Sequence, residues 1–129
     1  MILLLNTSTP KTELILVEAD GSRRSFEWDS GRGLSKGLLG FMRNSLAELG
    51  ADFSGIAGLG VYKGPGSFTG LRIGIAVLNT LADSLEVPIV GVTGGDWIEK
   101  SIELLDAGTD EKIILPFYGA DAHITKPRK

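Results

Sequence analysis

The chain has 129 residues, of which 43% are hydrophobic and 22% charged, enough for one globular domain with a buried core. Its 13 Lys and Arg against 16 Asp and Glu give a net charge of -3, which supplies no global attraction to nucleic acid or anionic lipid. The count of 0 cysteines excludes disulfides, thiolate metal sites and cysteine nucleophiles, and the cytoplasm is the expected compartment.

The start, Met1 to Leu5, lacks a basic lead and is too short an apolar run for a signal peptide or a membrane span. Ile2 to Leu5 instead reads as a central strand buried on both faces, ending at the polar turn Asn6-Thr7-Ser8-Thr9-Pro10. Thr12 to Glu18 predicts a second strand, Ala19 to Ser22 a tight turn, and Arg23 to Asp29 a third strand with Phe26 and Trp28 on one side. Together they make an antiparallel meander. Gly31 to Gly33 breaks the pattern, Leu34 to Leu49 has helical periodicity, and Gly50-Ala51-Asp52 stops it. A strand over Ile56 to Tyr62 leads into the glycine-dense loop Lys63 to Gly70, and Thr69 to Leu85 predicts a second helix. Pro88 introduces a strand over Ile89 to Val92, Asp96 is placed to cap a third helix ending near Leu105, and Ile113 to Tyr118 predicts a last strand. The expected fold class is α/β: a mixed sheet with a three-stranded meander followed by parallel strand-helix units, the layout of a single ribonuclease-H-like lobe. A flavodoxin-like sheet is the alternative arrangement.

Placing residues about 100° apart around each helix axis gives wide apolar arcs. On the first helix Leu34, Leu38, Leu39, Phe41, Met42, Leu46 and Leu49 cover roughly 160°, more than one sheet contact needs, with Gly37 and Gly40 on another flank. On the second, Leu71, Ile73, Ile75, Val77, Leu78, Leu81, Ala82 and Leu85 sweep about 200° and leave Arg72, Asn79 and Asp83 as a narrow polar edge. Such a helix needs two neighbours: sister helices of its own lobe, or another protein.

The loop Gly64-Pro65-Gly66-Ser67-Phe68-Thr69-Gly70 matches neither the phosphate-loop spacing Gly-x-x-x-x-Gly-Lys-Ser/Thr nor the dinucleotide fingerprint, being one residue too long for the latter. Ser67 lies on a strand-to-helix turn but lacks the Gly-x-Ser-x-Gly spacing of a nucleophile elbow. The single histidine, His123, rules out any two-histidine metal site, and no metal or cofactor site and no catalytic residue is expected. Lys126, Arg128 and Lys129 read as a solvated basic tail rather than a tRNA phosphate contact, and Trp28 and Trp97 as core or edge packing rather than base-stacking platforms.

The longer string Gly64-Pro65-Gly66-Ser67-Phe68-Thr69-Gly70-Leu71-Arg72-Ile73-Gly74 resembles the signature of the TsaB family, also called YeaZ. The opening Ile2 to Ser8, the helix Leu34 to Leu49, Gly91-Val92-Thr93 and Gly119-Ala120-Asp121-Ala122 also sit where that family has corresponding elements. The resemblance implies an actin-like fold and a non-catalytic role in bacterial tRNA threonylcarbamoyladenosine formation. The implied partner is TsaD, which modifies the adenosine next to the anticodon; a TsaE-like ATPase joins that pair, and tRNA is reached only indirectly. It further implies that the first two helices form the contact with TsaD and can also support a homodimer. The expected interface is Leu38, Phe41 and Met42 with Ile73, Gly74, Val77 and Leu81, with Gly37, Gly40 and Gly74 allowing close helix approach. Two departures stand out. Asn6 occupies the place of the family's usual Asp, and the chain, read as one lobe over 1–129, is expected to lack the C-terminal half. Both count against one alternative, a small nucleotide-binding enzyme using Gly64 to Thr69; a homodimeric relative without a TsaD role remains the other.

Overall fold

The computed structural model describes residues 1–117. Among them five strands, β1 (Ile2–Asn6), β2 (Lys11–Val17), β3 (Arg23–Asp29), β4 (Gly58–Tyr62) and β5 (Ile89–Val92), form one sheet in the order β3-β2-β1-β4-β5. β1 pairs antiparallel with β2, β2 antiparallel with β3, and β4 and β5 extend the sheet in parallel with β1. The central position of β1 follows from its sequence, since Leu3, Leu4 and Leu5 in succession can all be buried only in a strand covered on both faces.

Three helices, α1 (Leu34–Glu48), α2 (Phe68–Leu85) and α3 (Trp97–Asp106), supply that cover among the described residues. α1 and α2 lie over the face that carries Leu3, Leu5, Leu14, Leu16, Leu59 and Val61. α3 covers the other face, where Trp97 packs with Leu4, Ile15, Val17 and Val92. Gly60 lets α3 come close, because a Cβ there would lie 3.0 Å from the Ser101 Cβ. Each of α1 and α2 returns between parallel strands, so the two helices run in the same direction.

The meander, both parallel units and the three helices stand within two residues of the sequence expectation at nearly every end. Two local features differ. Asp96 holds the N-cap position of α3 without a side-chain cap hydrogen bond; its carboxylate lies 3.8 Å from Lys100 Nζ instead. The expected strand over Ile113 to Tyr118 does not form among the described residues, which end at Phe117. Ile114 gives both backbone groups to the Asn79 side-chain amide of α2, at 2.8 and 2.9 Å, and Pro116 has no N–H to offer a ladder. Ile114 is thereby buried, while Ile113 and Leu115 face outward.

Candidate partner-binding face and the loop that positions it

The signature loop is fastened at one end to β5 and at the other to the turn after β1. Lys63 N–H donates to the Val92 carbonyl and Ser67 N–H to the Ser8 carbonyl, at 2.9 and 2.8 Å. Gly64 has φ +129°, a conformation closed to other side chains, and any Cβ on it would overlap the Phe117 carbonyl. The Pro65 carbonyl accepts from the Tyr62 hydroxyl at 2.9 Å, and Ser67 Oγ caps α2 by accepting Gly70 N–H at 3.3 Å.

Gly66, Gly70 and Gly74 recur every four residues and so fall along one side of the loop and helix. A Cβ on Gly66 would overlap Ser8, and one on Gly70 or Gly74 would overlap Thr7. Thr7 is 1% exposed, and its hydroxyl donates to the Gly70 carbonyl at 2.6 Å. The glycines thus press the start of α2 onto the Thr7-Ser8 turn, a contact that the sequence reading missed although the four-residue spacing marks it. Asn6 holds the same turn: its Oδ1 accepts Ser8 N–H at 2.9 Å. The amide oxygen therefore supplies the acceptor that this turn uses, without a charge.

The expected interface residues divide into four groups. Leu38 and Met42 are 0% exposed in the lobe's own core and offer nothing to a partner, and Gly74 is buried beneath Thr7 rather than on a helix-helix flank. Phe41 turns towards β3 and meets Trp28 with ring centroids 5.3 Å apart; Gly37 makes room for the same indole. Ile73 lines a cleft of about 320 Å³ with Thr7, Arg32, Ser67 and Thr69. Val77 and Leu81 are partly buried against the core and, with Leu39, Ala76 and Thr80, line an apolar groove of about 240 Å³ between α1 and α2. Leu39, 49% exposed, is a residue of this groove that the interface expectation omitted. Lys36 and Arg43 flank Leu39 at three- and four-residue spacing, Arg72 precedes Ala76 by four and Asp83 follows Thr80 by three, so three cations and a carboxylate fall on the side of the groove. Of the remaining signature residues, Pro65, Phe68 and Thr69 are exposed, and the Arg72 guanidinium lies 5.0 Å from the Phe68 ring centroid.

No group of three or more His, Asp or Glu capable of holding a metal occurs among the described residues. The 320 Å³ cleft is lined by hydroxyls and Arg32 but by no carboxylate. No helix of the described residues is long and apolar enough to cross a membrane. His123, Gly119 to Ala122 and the basic Lys126, Arg128 and Lys129 lie outside the described residues.

The strand order and the placing of two helices on one face and one on the other define a ribonuclease-H-like lobe. The model of the family TsaD, tRNA N6-adenosine threonylcarbamoyltransferase, matches residues 29–115, and the chain belongs to this family, among its TsaB/YeaZ members. It is 39% identical over 56 residues to the tRNA threonylcarbamoyladenosine biosynthesis protein TsaB of Escherichia coli, covering 43% of this chain and 24% of that one. The Haemophilus influenzae TsaB is 28% identical over 92 residues, covering 71% and 39% of the respective chains. Among solved structures, a Pseudomonas aeruginosa protein similar to peptidase YeaZ superposes with a TM-score of 0.67 at 34% identity, covering 71% of this chain and 42% of that one. YeaZ of the same organism gives 0.64 at 33% identity, covering 71% and 44%. The chain thus spans less than half the length of these relatives.

Proposed function

We propose that this chain is a non-catalytic subunit in tRNA threonylcarbamoyladenosine biosynthesis, binding a TsaD-type threonylcarbamoyltransferase in the cytoplasm through the α1–α2 face. The observation that carries this is the groove of Leu39, Ala76, Val77, Thr80 and Leu81, an apolar strip left uncovered on two adjacent helices. An apolar helix ridge with mainly acidic flanks fits it, since Lys36, Arg43 and Arg72 outnumber Asp83 along its rim. The names of the TsaB relatives support the pathway. The transfer chemistry belongs to the partner, a TsaE-like ATPase joins that pair, and tRNA is reached through the complex.

Co-purification with a TsaD-type protein, followed by calorimetric titration, tests the assignment. Leu39→Glu or Val77→Glu is expected to weaken binding by about 100-fold or more while leaving the melting temperature within a few degrees of the parent. Absence of any complex, together with a rise in melting temperature on adding ATP to the isolated chain, would instead favour the nucleotide-binding alternative.

A homodimer through the same helices is the second reading. Arg72 lies near the N-terminal end of α2 and Asp83 near its C-terminal end, so a two-fold axis across the groove sets each against the other's counterpart. Sedimentation of the isolated chain, with and without the TsaD-type protein, distinguishes a dimer that yields to the heterodimer from one that does not.

A further inference from the structure

The two edges of the sheet are protected differently. β3 carries its own charges, Arg23, Arg24, Glu27 and Asp29, which discourage strand addition. β5, with the sequence Ile89-Val90-Gly91-Val92, has none and is buried throughout. Short, apolar, β-branched and uncharged, it has the composition of a segment that pairs with other copies when its edge is open.

Among the described residues that edge is occupied by side chains rather than by a sixth strand. Its outward donors are Ile89 N–H and Gly91 N–H, since the alternate residues Pro88 and Val92 face β4, their carbonyls accepting Leu59 and Lys63 N–H. Asp110 Oδ1 accepts Ile89 N–H and Glu111 Oε2 accepts Gly91 N–H, both at 3.2 Å, while Glu111 N–H donates to the Ile89 carbonyl at 2.9 Å. Just beyond, the Asn79 amide grips both backbone groups of Ile114, and the Ile114 side chain seats on Gly91, where a Cβ would come within 2.6 Å of its Cγ2. The segment is therefore tied to the edge at its start and to α2 at its middle.

We propose that residues 110–114 are an edge cap whose two carboxylates close β5 against strand addition by the β5 of a second copy of this chain. A carboxylate fills an edge donor without continuing the ladder. It presents no new row of N–H and C=O groups outward, as an added strand would, so the sheet ends there. This accounts for the failure of Ile113 to Phe117 to form the strand that their apolar composition predicts.

The test uses the full chain carrying Leu39→Glu, which keeps the α1–α2 groove out of the assembly state being read. In that background Asp110→Ala/Glu111→Ala is compared with Asp110→Asn/Glu111→Gln, whose amide oxygens still accept. The alanine pair is expected to keep its circular dichroism and, at low concentration, to exchange the Ile89 and Gly91 amides at least about tenfold faster. As concentration rises it should form oligomers with an intermolecular β signal in the infrared and regain protection at those amides. The amide pair should behave as the parent. A folded alanine pair that stays in the parent's assembly state overturns the proposal. So does parent protein in which the Ile89 and Gly91 amides exchange as fast as unbonded edge amides, a measurement that decides the matter even if the alanine pair fails to fold.

Discussion

Glu13 shows how one side chain can act against the fold that holds it. It lies on β2 directly opposite Glu27 of β3, and burial first and the Glu27 charge second raise its pKa above the ordinary carboxylate value. Because the folded state binds that proton more tightly than the unfolded chain, Glu13 favours folding below its unfolded value. That contribution is lost as pH rises through the raised folded value. We therefore expect Glu13→Gln to melt higher than the parent at pH 7, with the difference vanishing below about pH 4, near the unperturbed glutamate range. A difference independent of pH in thermal melts would assign the effect to packing. Asn6 illustrates the opposite case: the turn uses an oxygen acceptor at that position, and a neutral amide supplies it.

At the scale of elements, the union of the signature loop, α2 and the Thr7-Ser8 turn has the most exacting fit. Gly74→Ala places a methyl against Thr7, which is itself held by the Gly70 carbonyl and cannot step aside. We expect a loss of about 1–3 kcal/mol in chemical denaturation, recovered in part by Thr7→Ala, which removes the colliding atoms. Full additivity of the two changes would separate the residues energetically and refute the contact. Periodicity made the helices legible because Leu34, Leu38, Met42 and Leu46 recur on one side of α1, as Leu71, Ile75, Leu78 and Ala82 do on α2. Ile113 to Phe117 departs from the strand expectation for a tertiary reason: the residues have strand composition, but whether a ladder forms depends on what already occupies the edge beside them.

For the whole molecule, the distribution of charge matters more than its sum. Lys36, Arg43 and Arg72 line the proposed partner face, while Glu99, Glu103 and Asp106 lie along exposed positions of α3 on the far side of the sheet. None of the three cations sits where it favours a helix dipole, Lys36 being in the first turn of α1, so their sign is better suited to an acidic partner than to the stability of their own helices. Reversing Lys36 and Arg43 to Glu is expected to slow association with the TsaD-type protein by about tenfold or more at low salt, with the gap narrowing as salt rises. Stopped-flow measurements showing equal slowing at all ionic strengths would remove the electrostatic role.

The sequence by itself determined the element order, the meander, the mixed sheet and the family resemblance. Each rests on patterns internal to one segment: a run of apolar residues, a period, or a glycine string. Only the tertiary structure decided which flank of each helix is free. The broad apolar arcs serve two neighbours at once, and a one-dimensional pattern cannot separate them. Leu38 and Met42 were consumed by the core, Gly74 by Thr7 and Phe41 by Trp28, leaving Leu39, Val77 and Leu81 as the apolar strip. The edge cap is of the same kind, because Asp110 and Glu111 are unremarked loop carboxylates until the fold brings them 3.2 Å from the donors of β5.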